Sequence, residues 1–199
     1  MPATAKNYDV THIHQGPGDL WIIGGGVADS ATPQLTLASG TPDSAAHPNS
    51  IHLGGTDSAI GFAATPKLED IRIDQADTAV ARYLTEMELS FEAELKQLDP
   101  TIIQNVAPYA AFSTSSAYNQ LTFGGGSLLI NPVCVACIAP KRGVANQYIV
   151  FTLFNAHGTL GLSSSVGRSK SAIYKAQFKG LADISRTAGR QTGVFYETL

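Results

Sequence analysis

Between Thr85 and Pro100 the chain reads TEMELSFEAELKQLDP, and its polar and apolar residues alternate. Glu86, Glu88, Glu92 and Glu94 fall on one side, and Met87, Leu89, Phe91, Ala93 and Leu95 on the other. A period of two is the strand period. Such a strand must lay its apolar side on a core and turn its acidic side away from it. A helix competes for the same residues, because Glu, Leu, Met, Ala and Lys are strong helix formers. Leu84, Met87, Phe91, Leu95 and Leu98 also form a helical stripe, although this strands Leu89 on the opposite face. The next segment favours the strand. Asp99 can cap a helix and Pro100 fits its first turn. Ile102, Ile103 and Val106 give that helix an apolar face, and Pro108 stops it. A helix over the glutamates would run straight into this cap. The order read here is a strand, then a short helix over 99–107.

The rest of the chain has β texture. GDLWIIGGG is a short apolar run closed by glycines. PQLTLASG, KLEDIRID, QYIVFTLFNA and GRQTGVFYE are further strand candidates. A strand pair is expected around Gly124–Gly126, and a turn at His157–Gly158. QADTAVARYLT reads as a loop or short helix. In SAIYKAQFKGLAD, Ile173, Lys175 and Gln177 alternate with Tyr174, Ala176 and Phe178. The stretch from Ser39 to Pro66 is rich in Gly, Pro and small polar residues. Only SIHL and AIGFA in it suit strands, so it reads as a long loop, of the kind that is usually functional. Short strands at this spacing, with one short helix, predict an all-β sandwich or barrel. At 199 residues the chain fits a single domain. With 44% hydrophobic residues it can build a core without disulfides.

Charged residues are scarce, at 15%, against about 25% in a typical domain. They are also unevenly placed. Residues 1–138 hold 5 Lys/Arg and 14 Asp/Glu, and residues 139–199 hold 8 and 2. Complementary surfaces of that kind favour self-association. The N-terminal MPATAKNYDV lacks an apolar signal region, and no apolar run approaches the roughly 20 residues of a membrane span. A soluble protein made in a cytoplasm is expected.

The usual chemical signatures are weak. There is no phosphate loop and no nucleophile elbow in the sequence. Cys134 and Cys137 lack the second ligand pair that zinc requires. Their spacing in a strand points them to opposite faces, so two small buried apolar residues are expected. His12 and His14 would share a strand face, but only the fold could bring His47, His52 or His157 to them. A hydrolase built on a glutamate pair would need two carboxyls across a cleft, normally among aromatic platforms. Four glutamates along one strand make an open wall, and the one tryptophan, Trp21, sits in an apolar run. Arg168, Lys170, Lys175 and Lys179 form a modest basic cluster without any nucleic-acid-binding motif. No catalysis, metal or cofactor is expected.

Several stretches, in order, resemble the tail tube proteins of long-tailed bacteriophages. They are HQGPGDLWI, GTPDSAAHPNSIHLGGTDSAIGF, PKLEDIRIDQADTAVARYLTEMELSFEAELKQLDP and SAIYKAQFKGLAD with the closing strand. The resemblance covers most of the chain and is one of texture and arrangement. It implies a β-sandwich or barrel with a flanking helix, a tail tube fold. It implies hexameric rings stacked into a tube through which DNA leaves the head without specific binding. Other tail proteins (tape measure, terminator, baseplate) would be partners, and the location would be the virion tail. On this mapping Ser39–Pro66 is an inter-subunit loop, 99–107 the flanking helix, and Glu86, Glu88, Glu92 and Glu94 face an acidic lumen. Lys96 and Arg72 interrupt the acidic surface. Tail terminators, distal tail proteins and secretion tubes share the fold. A monomeric β-sandwich binding module is the reading from another class.

Overall fold

The computed structural model describes residues 18–30, 34–56, 59–71, 80–96, 99, 102–103, 106–107, 110–123, 132–161 and 173–199. Its central strand is β10 (Tyr148–Gly161), where β-branched and aromatic residues suit a pleated surface. On one edge β10 pairs with β9 (Val133–Pro140), which pairs in turn with β1 (Asp19–Ile23) and then β4 (Ile51–His52). On its other edge β10 carries two strands laid end to end. β12 (Gly193–Glu197) takes residues Ile149–Leu153, and β11 (Tyr174–Gly180) takes Ala156–Gly161. β11 continues to β6 (Ala81–Leu95) and β5 (Gly61–Ile71). All these pairs are antiparallel.

A register shift between Leu153 and Ala156 lets β10 serve both halves of the sheet, since a bulge bends and twists its strand. The halves then face each other. Leu20, Ile22, Val135, Cys137 and Leu153 pack against Phe91, Ala93, Leu95, Tyr174, Ala176 and Phe178. The chain after β4 closes the far side. Leu53 donates its N–H to the Leu20 carbonyl at 2.9 Å, Thr56 bridges to Leu95, and the Lys96 N–H reaches the Gly55 carbonyl at 2.9 Å. The result is a barrel-like sandwich, as an all-β reading requires. A second apolar cluster covers the outer face of β1, β9 and β10. There Val27 and Leu35 lie over Cys134, Ala136, Ile138, Val150 and Phe154.

The excursion between β11 and β12 is clamped to this outer layer. Arg186 stacks its guanidinium 3.7 Å over the Phe154 ring, pairs with Asp183 at 3.0 Å and donates to the Val27 carbonyl. Arg190 reaches the Ser30 carbonyl at 3.2 Å. Two small ladders stand apart from the main sheet: β2 (Leu37–Ala38) with β3 (Thr41–Pro42), and β7 (Ala110–Thr114) with β8 (Asn119–Phe123).

The acidic segment is a strand, with Phe91, Ala93 and Leu95 buried. Within Ser39–Pro66 the candidates SIHL and AIGFA are met by β4 and the start of β5, β3 lies there as well, and turns between them are held by local side chains. The Asp43 carboxylate accepts from Ala45 N–H at 3.0 Å, and the Ser50 hydroxyl donates to the His47 carbonyl at 2.9 Å. β8 pairs with β7, and the strand pair expected around Gly124–Gly126 falls on residues outside the described ones. Ala81–Thr85 belongs to β6 and not to a loop or helix. Residues 100, 101, 104 and 105 of the expected helix over 99–107 lie outside the described residues, which contain no complete helix. Two hydrogen bonds of helical spacing are described there, from Ile103 N–H to the Asp99 carbonyl and from Ala107 N–H to the Ile103 carbonyl.

β10 runs straight through His157–Gly158, where a turn was expected. Gly158 is needed there for close approach. A Cβ at this position would overlap the Val106 carbonyl. Gly158→Ala should therefore cost on the order of 3 kcal/mol by overpacking. Gly55→Ala has open space around the added methyl and should stay within about 0.5 kcal/mol. Urea unfolding of the two variants checks the contrast.

Candidate functional site

Pairing places the glutamates of β6 on one face of the sheet, opposite the side that carries Met87, Leu89 and Phe91. On one flank Lys67 lies across from Glu86, and on the other Gln177 and Lys175 lie across from Glu92 and Glu94. The side chains use this register. Lys67 Nζ is 2.6 Å from Glu86, Lys179 Nζ 2.9 Å from Glu88 and Lys175 Nζ 3.6 Å from Glu94. Gln177 donates to Glu92 at 2.6 Å. The surface is thus a charge ladder, three lysines against four glutamates, and not a uniformly acidic wall. The Lys179 hydrogen bond holds the Glu88 carboxyl below its ordinary value, and the Glu86 hydrogen bond holds Lys67 above its own. At the end of the ladder an open groove of about 510 Å³ is lined by Gly61, Glu92, Glu94, Thr159, Lys175 and Gln177.

Beyond the barrel β5 and β6 continue as an arm, and every residue of β5 is exposed. The arm has a bulge between Lys67 and Leu68, where Thr85 is the extra residue. Its hydroxyl donates to the Lys67 carbonyl at 2.9 Å. The bulge keeps Leu84 opposite Leu68, on the side of the ladder that also carries Pro66 and Met87. Leu68, Leu84 and Met87 are 56%, 52% and 41% exposed. The arm's charges pair among themselves, Arg82 with Asp70 at 2.5 Å and Tyr83 with Glu69 at 2.6 Å. From sequence Leu84 and Met87 fit a helical stripe and QADTAVARYLT a loop or short helix, and both readings hide the pairing of these residues with β5.

The other candidates have ordinary roles. Cys134 and Cys137 are buried in the outer and inner clusters respectively, on opposite faces as their spacing predicts. His47 accepts a hydrogen bond from Thr36 N–H at 3.1 Å. His52 lies 3.3 Å from Asp19 with its ring against Trp21. His12, His14, Arg168 and Lys170 lie outside the described residues. Lys175 and Lys179, read in sequence as part of a basic cluster, are members of the ladder. Phe62, Phe151 and Phe195 make a row of rings, with centroids 4.7 and 4.6 Å apart. Among the described residues no group of three or more His, Cys, Asp or Glu side chains could hold a metal, and no helix is long and apolar enough to cross a membrane. No known protein family matches the chain, and no curated protein matches it.

Burial pushes the Cys134 thiol up to about 12 and the Cys137 thiol up to about 11. Since the thiolate is the reactive form, neither should react with a thiol reagent at pH 8 until the protein is unfolded. Glu88 tests the ladder. Its folded value is depressed, so its contribution to stability is present above the ordinary carboxyl range and is lost as pH falls through the lowered value. A carboxyl titration by NMR should place Glu88 below a free glutamate, and Lys179→Gln should return it towards the ordinary value.

Proposed function

We propose that this chain is a structural protein without catalysis, which assembles with copies of itself into stacked hexameric rings of a tail tube. The observation that carries this reading is the β5–β6 arm. It extends past the body of the barrel and leaves Leu68, Leu84 and Met87 open to water. Exposed apolar stripes on a two-stranded arm cost stability unless something covers them. β5 also presents an unpaired strand edge among the described residues, of the kind that natural proteins pair or protect. A repeated copy satisfies both needs. A heterologous contact of this sort closes into a ring or grows into a filament.

In the ring the glutamate face lines the bore, and DNA passes along it without being held. Tape measure, terminator and baseplate proteins would bind the ends of the stack, and the virion tail would be its place. A terminator, distal tail or secretion-tube role is a variant of the same reading, differing in how many rings stack. The binding-module alternative would draw on Phe62, Phe151 and Phe195. Their rings are tilted 37° and 34° to one another, which makes a packed cluster and not a flat sugar platform.

The assembly claim is tested by sedimentation of the purified chain over a range of concentrations. Wild type should form large species that grow with concentration. Leu68→Asp with Leu84→Asp should stay monomeric at all of them, with the same melting temperature to within a few degrees, because neither side chain is part of the core. A wild type that remains monomeric throughout would remove the tube reading.

A further inference from the structure

The ladder suggests a more specific role for the glutamates than repulsion. Lys67, Lys175 and Lys179 project from the same face as the glutamates, and each ammonium is engaged by a carboxylate within 4 Å, that of Glu86, Glu94 and Glu88 in turn.

 The three lysine side chains are themselves well exposed, at 57%, 82% and 44%. Lys175 and Lys179 stand about 13 Å apart along β11, and Lys67 stands on the far flank of β6. Without the carboxylates these three would be a row of free ammonium groups beside an open groove, and rows of that kind bind nucleic-acid phosphates.

We propose that Glu86, Glu88 and Glu94 are built-in counterions, which occupy a lysine row that would otherwise bind DNA phosphates. The binding surface is present in the fold and silenced by its own strand. Gln177 fits this design. It lies opposite Glu92, where a lysine would add a fourth cation, and it donates an uncharged amide instead. Three lysines against four glutamates leave one negative charge, so the face neither holds a polyanion nor carries a dense acidic field. The biological sense of this device rests on the tube reading, since a conduit must not retain its cargo. The binding itself needs no ring, and so can be measured whether or not the chain assembles.

The test uses the full chain and a short random-sequence DNA duplex, followed by fluorescence anisotropy between about 50 and 200 mM salt. Wild type should show no binding. Glu86→Gln, Glu88→Gln and Glu94→Gln together should create it. With about 0.9 counterions released per lysine, affinity should fall about 40-fold across that salt range. Adding Lys67→Gln, Lys175→Gln and Lys179→Gln should abolish the binding again. A control with the same change in net charge placed elsewhere, Asp19→Asn, Asp29→Asn and Glu69→Gln, should not bind. The proposal is overturned if the ladder variant binds no better than wild type, or if the control binds as well as it does. Should the triple variant fail to fold, Glu94→Gln alone frees the most exposed of the three lysines and should still raise binding above wild type at the lowest salt. No gain there overturns the proposal too. A wild type that stays monomeric yet shows the expected gain in its variant would sink the tube reading and leave the counterion role standing.

Discussion

The register of β6 against β5 and β11 is the constraint on which the other features depend. Side chains alternate across a strand, so a slip of one residue would exchange every inward and outward position. In the register observed, Phe91 lies opposite both Phe62 and Phe178, and Ala93 lies opposite Ala176. Phe91 and Phe178 are fully buried. Burying an aromatic side chain is worth about 1.5–3 kcal/mol, whereas an exposed ion pair contributes about 0–1 kcal/mol. The apolar side therefore sets the register, and the ladder of Lys67, Lys175 and Lys179 follows from it. The charges report the fold more than they make it.

The same strand changes its duty along its length. Near Leu95 it is core, closing the barrel through Thr56 and Gly55. Near Glu88 its outer face is ladder. Beyond Thr85 it is arm, where the described residues of both strands are exposed. The bulge at Thr85 matters because it preserves the two-sided character past the barrel. Without the extra residue Leu84 would move to the charged side. With it, Leu68, Leu84 and Met87 continue the apolar face into solvent. A core surface that outruns its own core is what links the fold to the proposed assembly.

Much of the fold was legible in the sequence because one period was strong. Alternation in YKAQFKG gave that strand and its buried face, whereas in TEMELSFEAEL it competed with a helical stripe and the helix start at Asp99–Pro100 tipped the reading to a strand. The spacing of Cys134 and Cys137 gave their opposite burial. Other features were hidden because they depend on pairing between distant segments. The lysines at 175 and 179 sit about eighty and ninety residues from the glutamates that engage them, so an acidic strand and a basic strand looked like separate features. Gly158 carried a turn signal but serves close packing against Val106. The Gly- and Pro-rich run from Ser39 looked like a loop because its order comes from side chains such as Asp43, His47 and Ser50, and no periodicity records such bonds.

The central claim is that copies of this chain form rings around a bore. Electron microscopy of the purified protein at high concentration, with class averages of end-on views, tests it most directly. The tube reading predicts annular particles with six-fold symmetry, stacked into hollow filaments in side view. Uniform small particles of single-chain mass, without a central hole, would contradict it.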